Sequence, residues 1–186
     1  MKRRILSALY RADDFISGQE LCEELHVSRT AVWKTINHLK EDGYEIQAVS
    51  RKGYKILSSP DQITGEEVGA RLRTKRLGGE IHYYESIDST NNEAKRLAEQ
   101  GAPHGTLVLA EKQEKGKGRR GRVWDTPGGS SIAMSLLLRP SLAPGHASMV
   151  TLVMGLAAAR ACRELCGVEA EIKWPNDIVV NGRKIC

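Results

Sequence analysis

Three stretches of this 186-residue chain gather residue types able to bind and polarise a small anionic ligand. The densest is Lys115-Gly116-Lys117-Gly118-Arg119-Arg120-Gly121-Arg122, followed by Val123-Trp124. Glycines let backbone N–H groups come close to a ligand, and the cations between them supply charge-assisted bonds to phosphate or carboxylate. A loop of this kind is expected to order around an anion and to be mobile when empty. Its spacing is neither that of a Walker A loop nor that of a dinucleotide fingerprint. A plain basic surface loop or an RNA-binding tract would have the same composition. The second stretch, Ser89-Thr90-Asn91-Asn92, opens a predicted helix after a predicted strand. Hydroxyls and amides there can hold a small polar ligand beside the free N–H groups of the helix, and simple N-capping is the other use for them. The third, Lys173-Trp174-Pro175-Asn176-Asp177, closes a strand, and Lys184 returns across a hairpin seven residues after Asp177. A lysine so placed can aim its ammonium at a phosphate and a carboxylate brought together, although most such charges are simply solvated.

The elements that must position these residues are legible from periodicity. Ile5, Leu6, Leu9 and Tyr10 recur at helical spacing. Residues 18–25 form a short helix with Leu21, Cys22 and Leu25 on one face. Ser28 is a good N-cap for a longer helix over residues 29–42, whose stripe is Val32, Ile36 and Leu39 and whose end is Gly43. Two short alternating runs, 44–46 and 54–57, are joined by the basic tip Ser50-Arg51-Lys52-Gly53. Helix, helix, turn, helix and hairpin is the order of a winged helix-turn-helix, with a recognition helix suited to a DNA groove. Ser28, Arg29, Thr30, Trp33, Lys34 and Asn37, with Arg51 and Lys52 at the wing tip, are the expected DNA-binding residues. Residues 1–59 hold ten Lys and Arg against eight acids, so element order rather than charge carries this reading.

Ser58-Ser59-Pro60 marks a boundary, and Thr64 with Glu67 reads as a capping box for a helix near 65–72. Strands are expected at 80–84, 106–111, 131–138, 171–174 and 177–180, with helices at 91–100 and 149–165, the second packed across a sheet. Asn181-Gly182 is a two-residue hairpin signal. The return strand stops at Cys186, which would leave an unpaired sheet edge and leads to the expectation that the chain is a fragment of a longer protein.

Composition narrows the class. The chain is 40% apolar and 27% charged, as in a globular domain, and only 5% aromatic, so aliphatic residues must build its core. No run of 18 apolar residues exists, which excludes a transmembrane helix. Arg11, Asp13 and Asp14 interrupt any apolar region behind the basic N-terminus, which argues against a signal peptide. Cys22, Cys162, Cys166 and Cys186 form no CxxC pair and lie at no zinc spacing with histidine, so small buried side chains, no metal site and a reducing cytoplasm are expected. A net charge of +5 permits contact with polyanions without demanding it.

Taken together, Ser89-Thr90-Asn91, Gln113, residues 116–122 with Trp124, residues 173–177 and Arg183-Lys184 resemble the bifunctional biotin–protein ligase / biotin operon repressor (BirA) family. The resemblance runs over essentially the whole chain. It implies an α+β protein: a winged helix-turn-helix DNA-binding domain at 1–59, then a mixed-sheet catalytic domain at 60–186, similar to class II aminoacyl-tRNA synthetases and incomplete at its C-terminus. It implies a cytoplasmic enzyme that forms biotinyl-5′-AMP from biotin and ATP with Mg2+ and transfers biotin to a lysine of the biotin carboxyl carrier protein. It also implies a repressor of biotin-synthesis genes that binds operator DNA, as a homodimer when adenylate-bound. By resemblance, Ser89, Thr90, Asn91, Gln113, Lys117, Arg119 and Lys184 bind biotin. Arg119, Arg120, Arg122, Trp124 and Asn176 bind the adenylate, and Lys184, Arg119 and Asp177 are catalytic. The family loop usually carries arginine where this chain has Lys117, which keeps the charge but loses the two-pronged donor. The alternatives are a non-catalytic DNA-binding regulator with a ligand-sensing domain, and an RNA-binding protein.

Overall fold

The computed structural model describes residues 1–118 and 121–186. The chain divides into two compact units, Met1–Arg139 and Pro140–Cys186.

In the first unit, helices α1 (Lys2–Arg11), α2 (Gly18–Leu25) and α3 (Arg29–Glu41) precede a hairpin of β1 (Glu45–Val49) and β2 (Gly53–Ser58). The apolar stripes meet in one core of Ile5, Leu6, Leu9, Leu21, Leu25, Val32, Ile36 and Leu39. Ser28 accepts from the Ala31 N–H and so starts α3 as expected. Ser17 does the same for α2, in a full capping box with Glu20. The wing is anchored by a bridge between Ile16 and Tyr54. That bridge needs a glycine next to Tyr54, because a Cβ on Gly53 would lie 2.0 Å from the Ile16 carbonyl oxygen.

Helix α4 (Gly65–Arg71) packs on α1. Thr64 caps it by accepting from the Glu67 N–H, but the expected capping box is only half made. The Glu67 carboxylate is buried and turns away to accept from the hydroxyls of Tyr10 (2.8 Å) and Tyr44 (2.9 Å) and from Arg71. A buried carboxylate must be paired, and here two phenols and a guanidinium from three segments satisfy it. Desolvation, together with the carboxylate as acceptor, pushes the Tyr44 phenol well above its ordinary range.

A three-stranded sheet follows, in the order β3 (Ile81–Ile87), β4 (Leu107–Gln113), β5 (Ala133–Leu136). β3 and β4 are parallel, joined through α5 (Thr90–Glu99), and β5 runs antiparallel to β4. The central strand is buried from Leu107 to Ala110, as strands covered on both faces are.

The second unit has a 3-10 turn (Pro144–His146), the long helix α6 (Ala147–Cys166), and a meander of β6 (Ala170–Lys173), β7 (Asp177–Val180) and β8 (Arg183–Lys184). α6 packs across this sheet through Ala159 against Ala170 and Ile178. Asn181 and Gly182 both have positive φ, at 51° and 73°, as a two-residue hairpin turn requires.

Candidate functional site

The parallel pair of strands positions the polar residues of the first unit. α5 begins where β3 ends, so Ser89 and Thr90 lie at the C-terminal edge of the parallel pair, where α/β sheets bind ligands. Register pairs Ile87 with Gln113, which brings the Gln113 amide beside that helix start. The Thr90 N–H and hydroxyl both donate to Gln113 Oε1, at 2.8 and 3.0 Å. Gln113 Nε2 donates to Thr126 Oγ1 at 3.1 Å. The Ser135 hydroxyl, reaching in from β5, lies 2.9 Å from Thr90 Oγ1 and 3.0 Å from Asn91 Oδ1. Thr90, Thr126 and Ser135 are all buried.

Ser89 is the exception in this polar set. It sits at the N-cap of α5 and makes no capping bond. Its Oγ is fully buried and has no hydrogen-bond partner among the described residues. Buried hydroxyls are nearly always paired, so an orphan among neutral donors and acceptors points to a ligand. The capping alternative for Ser89 is thereby set aside.

The glycine–basic loop is a hairpin in its described part. Gly116 O accepts from Trp124 N at 2.9 Å, Gly118 N donates to Arg122 O at 2.8 Å, and Lys117 bridges Val123. A Cβ on Gly116 would stand 2.1 Å from the Trp124 carbonyl oxygen, so glycine is required there. Lys117 Nζ donates to Asn92 Oδ1 at 2.8 Å. Arg122 and Trp124 are exposed on the returning arm. Arg119 and Arg120, expected to hold biotin and adenylate, lie outside the described residues.

At the root of this site Asp88 accepts from Arg96 at 2.9 Å and from Asn92 Nδ2 at 2.7 Å. The Arg96 guanidinium, then Asn92 and the Ser89 N–H, hold the Asp88 carboxyl well below the usual carboxylate range.

The other expected catalytic residues lie on the second unit. Val179 pairs with Lys184 across β7 and β8, and Asp177 points to the same face as Val179, two residues away. The lysine therefore reaches diagonally, and Nζ meets Asp177 Oδ1 at 2.7 Å. Asn176 Nδ2 donates to the same oxygen at 2.7 Å. Among the described residues no group of three His, Cys, Asp or Glu could hold a metal ion. All four cysteines are free thiols, but Cys166 and Cys186 are exposed, contrary to the expectation that all four are buried.

The expected DNA face is on the first unit. Arg29, Thr30, Trp33 and Lys34 are exposed on α3, with Asn37 half-buried, and Arg51 and Lys52 are exposed at the wing tip. A cleft of about 530 Å³ runs between α3 and the wing, lined among others by Gln19, Arg29, Trp33, Ser50 and Arg51. Ser28 uses its side-chain oxygen for the cap, and Arg29 donates to Gln19 Oε1 at 2.9 Å.

Sequence reasoning missed Thr126 and Ser135 as parts of the polar set. Ser135 had a signal: it is a lone polar residue at an inward position between the buried Ala133 and Leu137. Thr126 had none, since only the fold brings it to Gln113.

The first unit thus joins a winged helix to a mixed sheet with a neutral polar set and a glycine–basic hairpin, and the second unit carries a Lys–Asp hairpin. Residues 83–186 match the model of the biotin/lipoate A/B protein ligase family, and the chain belongs to that family. Residues 2–55 match an HTH domain. The chain is 42% identical over 172 residues to the bifunctional ligase/repressor BirA of Bacillus subtilis (strain 168), covering 92% of this chain and 53% of that protein. It is 33% identical over 181 residues to the Escherichia coli (strain K12) protein of that name, covering 97% and 54%. It thus spans about half the length of these curated relatives. The biotin protein ligase of Aquifex aeolicus, solved in complex with biotin and ATP, superposes with a TM-score of 0.50 at 32% identity, over 57% of this chain and 44% of that one.

Proposed function

We propose that the complete protein is a biotin–protein ligase that also acts as a DNA-binding repressor of biotin synthesis. One observation carries the ligase reading: the orphaned, fully buried Ser89 hydroxyl among Thr90, Gln113, Thr126 and Ser135. The ureido group of biotin is neutral and offers one acceptor and two donors, which such a pocket satisfies without charge. Asn91 accepts from the Ser135 hydroxyl of this set, and Lys117, Arg119 and Lys184 are the cations assigned to the carboxylate end of biotin. Arg119, Arg120, Arg122, Trp124 and Asn176 are assigned to the adenylate.

The chemistry follows from those roles. A biotin carboxylate oxygen attacks the α-phosphorus of ATP, the bond to the β-phosphate oxygen breaks, and pyrophosphate leaves. The ammonium of Lys184 neutralises charge on the phosphoryl oxygens, while Asp177 holds that ammonium in place. Asp177 would be the carboxylate to hold a Mg2+ ion accompanying the ATP phosphates, which would supply further neutralisation of their charge. The ε-amine of a carrier-protein lysine then attacks the acyl carbon and AMP leaves.

Residues 1–59 are proposed as the DNA-binding domain and 60–186 as catalytic, with α4 packed on the former. The adenylate-bound protein is proposed to dimerise on a two-fold operator. Among the described residues no helix is long and apolar enough to cross a membrane, and a cytoplasmic site of action fits the substrates.

The regulatory half is tested by replacing Arg29 and Lys34 with alanine and measuring operator binding over a range of salt. Removing one cation from its phosphate lowers the salt exponent by about 0.9, so affinity should fall and the exponent should shrink by about 1–2. An unchanged affinity and exponent would remove α3 from the DNA interface. Biotin- and ATP-dependent labelling of a carrier-protein lysine tests the ligase half.

A further inference from the structure

We infer that Asn92 is a positioning residue that latches the glycine–basic hairpin to the start of α5 by holding Lys117. This rests on the ligase reading above and extends it. Asn92 lies on the first turn of α5, two residues after Thr90. Its amide has only one possible orientation. Nδ2 donates to Asp88 Oδ2 at 2.7 Å, and an ionised carboxylate can only accept. Oδ1 is therefore the atom presented to the loop, where it meets Lys117 Nζ at 2.8 Å. Asp88 is itself fixed by Arg96, and its carbonyl oxygen accepts from Lys115 N at 2.8 Å. The Ile87 carbonyl accepts from Glu114 N at 2.8 Å.

The hairpin is thus tied to residues 87–92 at three successive points, two through backbone and the last through Asn92. Lys117 pairs with Val123 across the hairpin, so holding its side chain holds both arms. A lysine suits this contact. Its ammonium is a compact charge with three rotatable donors, one of which suits a single amide oxygen and leaves the others for a ligand, whereas a guanidinium holds its donors in a fixed planar fork. Moving the hairpin away from α5 requires breaking the Lys117–Asn92 bond, while the neutral polar set keeps its own bonds. Asn92 therefore governs escape of bound ligand more than the bond-making step.

The test uses the complete protein and biotinyl-5′-AMP as probe, with dissociation followed by stopped flow. Asn92→Ala should release the adenylate about 3- to 10-fold faster, as expected for a partly exposed hydrogen bond to an ammonium. The single-turnover rate of adenylate formation should stay within about 2-fold. Lys117→Met probes the same contact from the loop side without touching α5. The double variant should release no faster than Lys117→Met alone, because Asn92 acts only through Lys117. Lys95→Ala, an exposed cation on the same helix, should leave release unchanged. A release rate unaltered in Asn92→Ala, or effects of the two changes that simply multiply, would overturn the latch. A wild-type protein that fails to retain biotinyl-5′-AMP would overturn the ligase reading and the latch with it, and is seen before any variant is made.

Discussion

In the complete protein, Lys184→Gln is expected to slow formation of the adenylate by about 10²–10³, while biotin binding changes little. The reason lies in what the two side chains share. Glutamine keeps a donor that can still reach Asp177, so the β7–β8 hairpin retains its cross-strand contact. It loses the positive charge. Attack by a carboxylate on a phosphate brings two anions together and concentrates charge on the phosphoryl oxygens. A fixed ammonium lowers that barrier because it is already in place when the charge develops. Asp177 serves to fix it, and Asn176 shares the same carboxylate oxygen. Pyrophosphate release under single turnover checks the expectation. A variant with the wild-type rate would show that Lys184 is an ordinary cross-strand charge.

Ser89→Ala should separate stability from binding, in opposite directions. The native hydroxyl is buried with no partner among the described residues, a state that typically costs about 1–3 kcal/mol. Removing it should leave the melting temperature equal or higher in the ligand-free protein. The same change removes a donor and acceptor from the proposed ureido pocket, so biotin affinity should fall by about 10- to 100-fold. Thermal denaturation and calorimetric titration of one variant give both numbers. A lower melting temperature with unchanged biotin affinity would make Ser89 a structural residue and leave the pocket unsupported.

Much of this molecule is legible in local sequence, and what was missed shares one cause. The stripe Val32, Ile36 and Leu39, the caps Ser28 and Thr64, and the Asn181-Gly182 turn all report on neighbours a few residues apart, and the structure has each of them. Glu67 shows where this stops. Local pattern assigns its carboxylate to the backbone of its own helix, but Tyr10 and Tyr44, distant in sequence, compete for it in a dry environment and win. The site divides in the same way. Ser89, Thr90 and Gln113 stand out by residue type at a helix start and a strand end. Thr126, Ser135 and the Asn92–Lys117 bond depend on which strand lies beside which. Glycines in the basic stretch suggested a loose loop, yet backbone rungs at Gly116 and Gly118 make its described part a hairpin. Arg119 and Arg120 lie outside the described residues, so their roles rest on resemblance alone.

Recognition of biotin by the polar set around Ser89 and its activation on ATP by the complete protein are tested together by one measurement. The most direct measurement is exchange of labelled pyrophosphate into ATP by the complete protein, with and without biotin and with no carrier protein present. Exchange should require biotin, because the carboxylate of bound biotin is the nucleophile and the reaction reverses on the enzyme. Operator binding in a protein that gives no exchange at saturating biotin would contradict it, and would leave a DNA-binding regulator that senses its ligand without activating it.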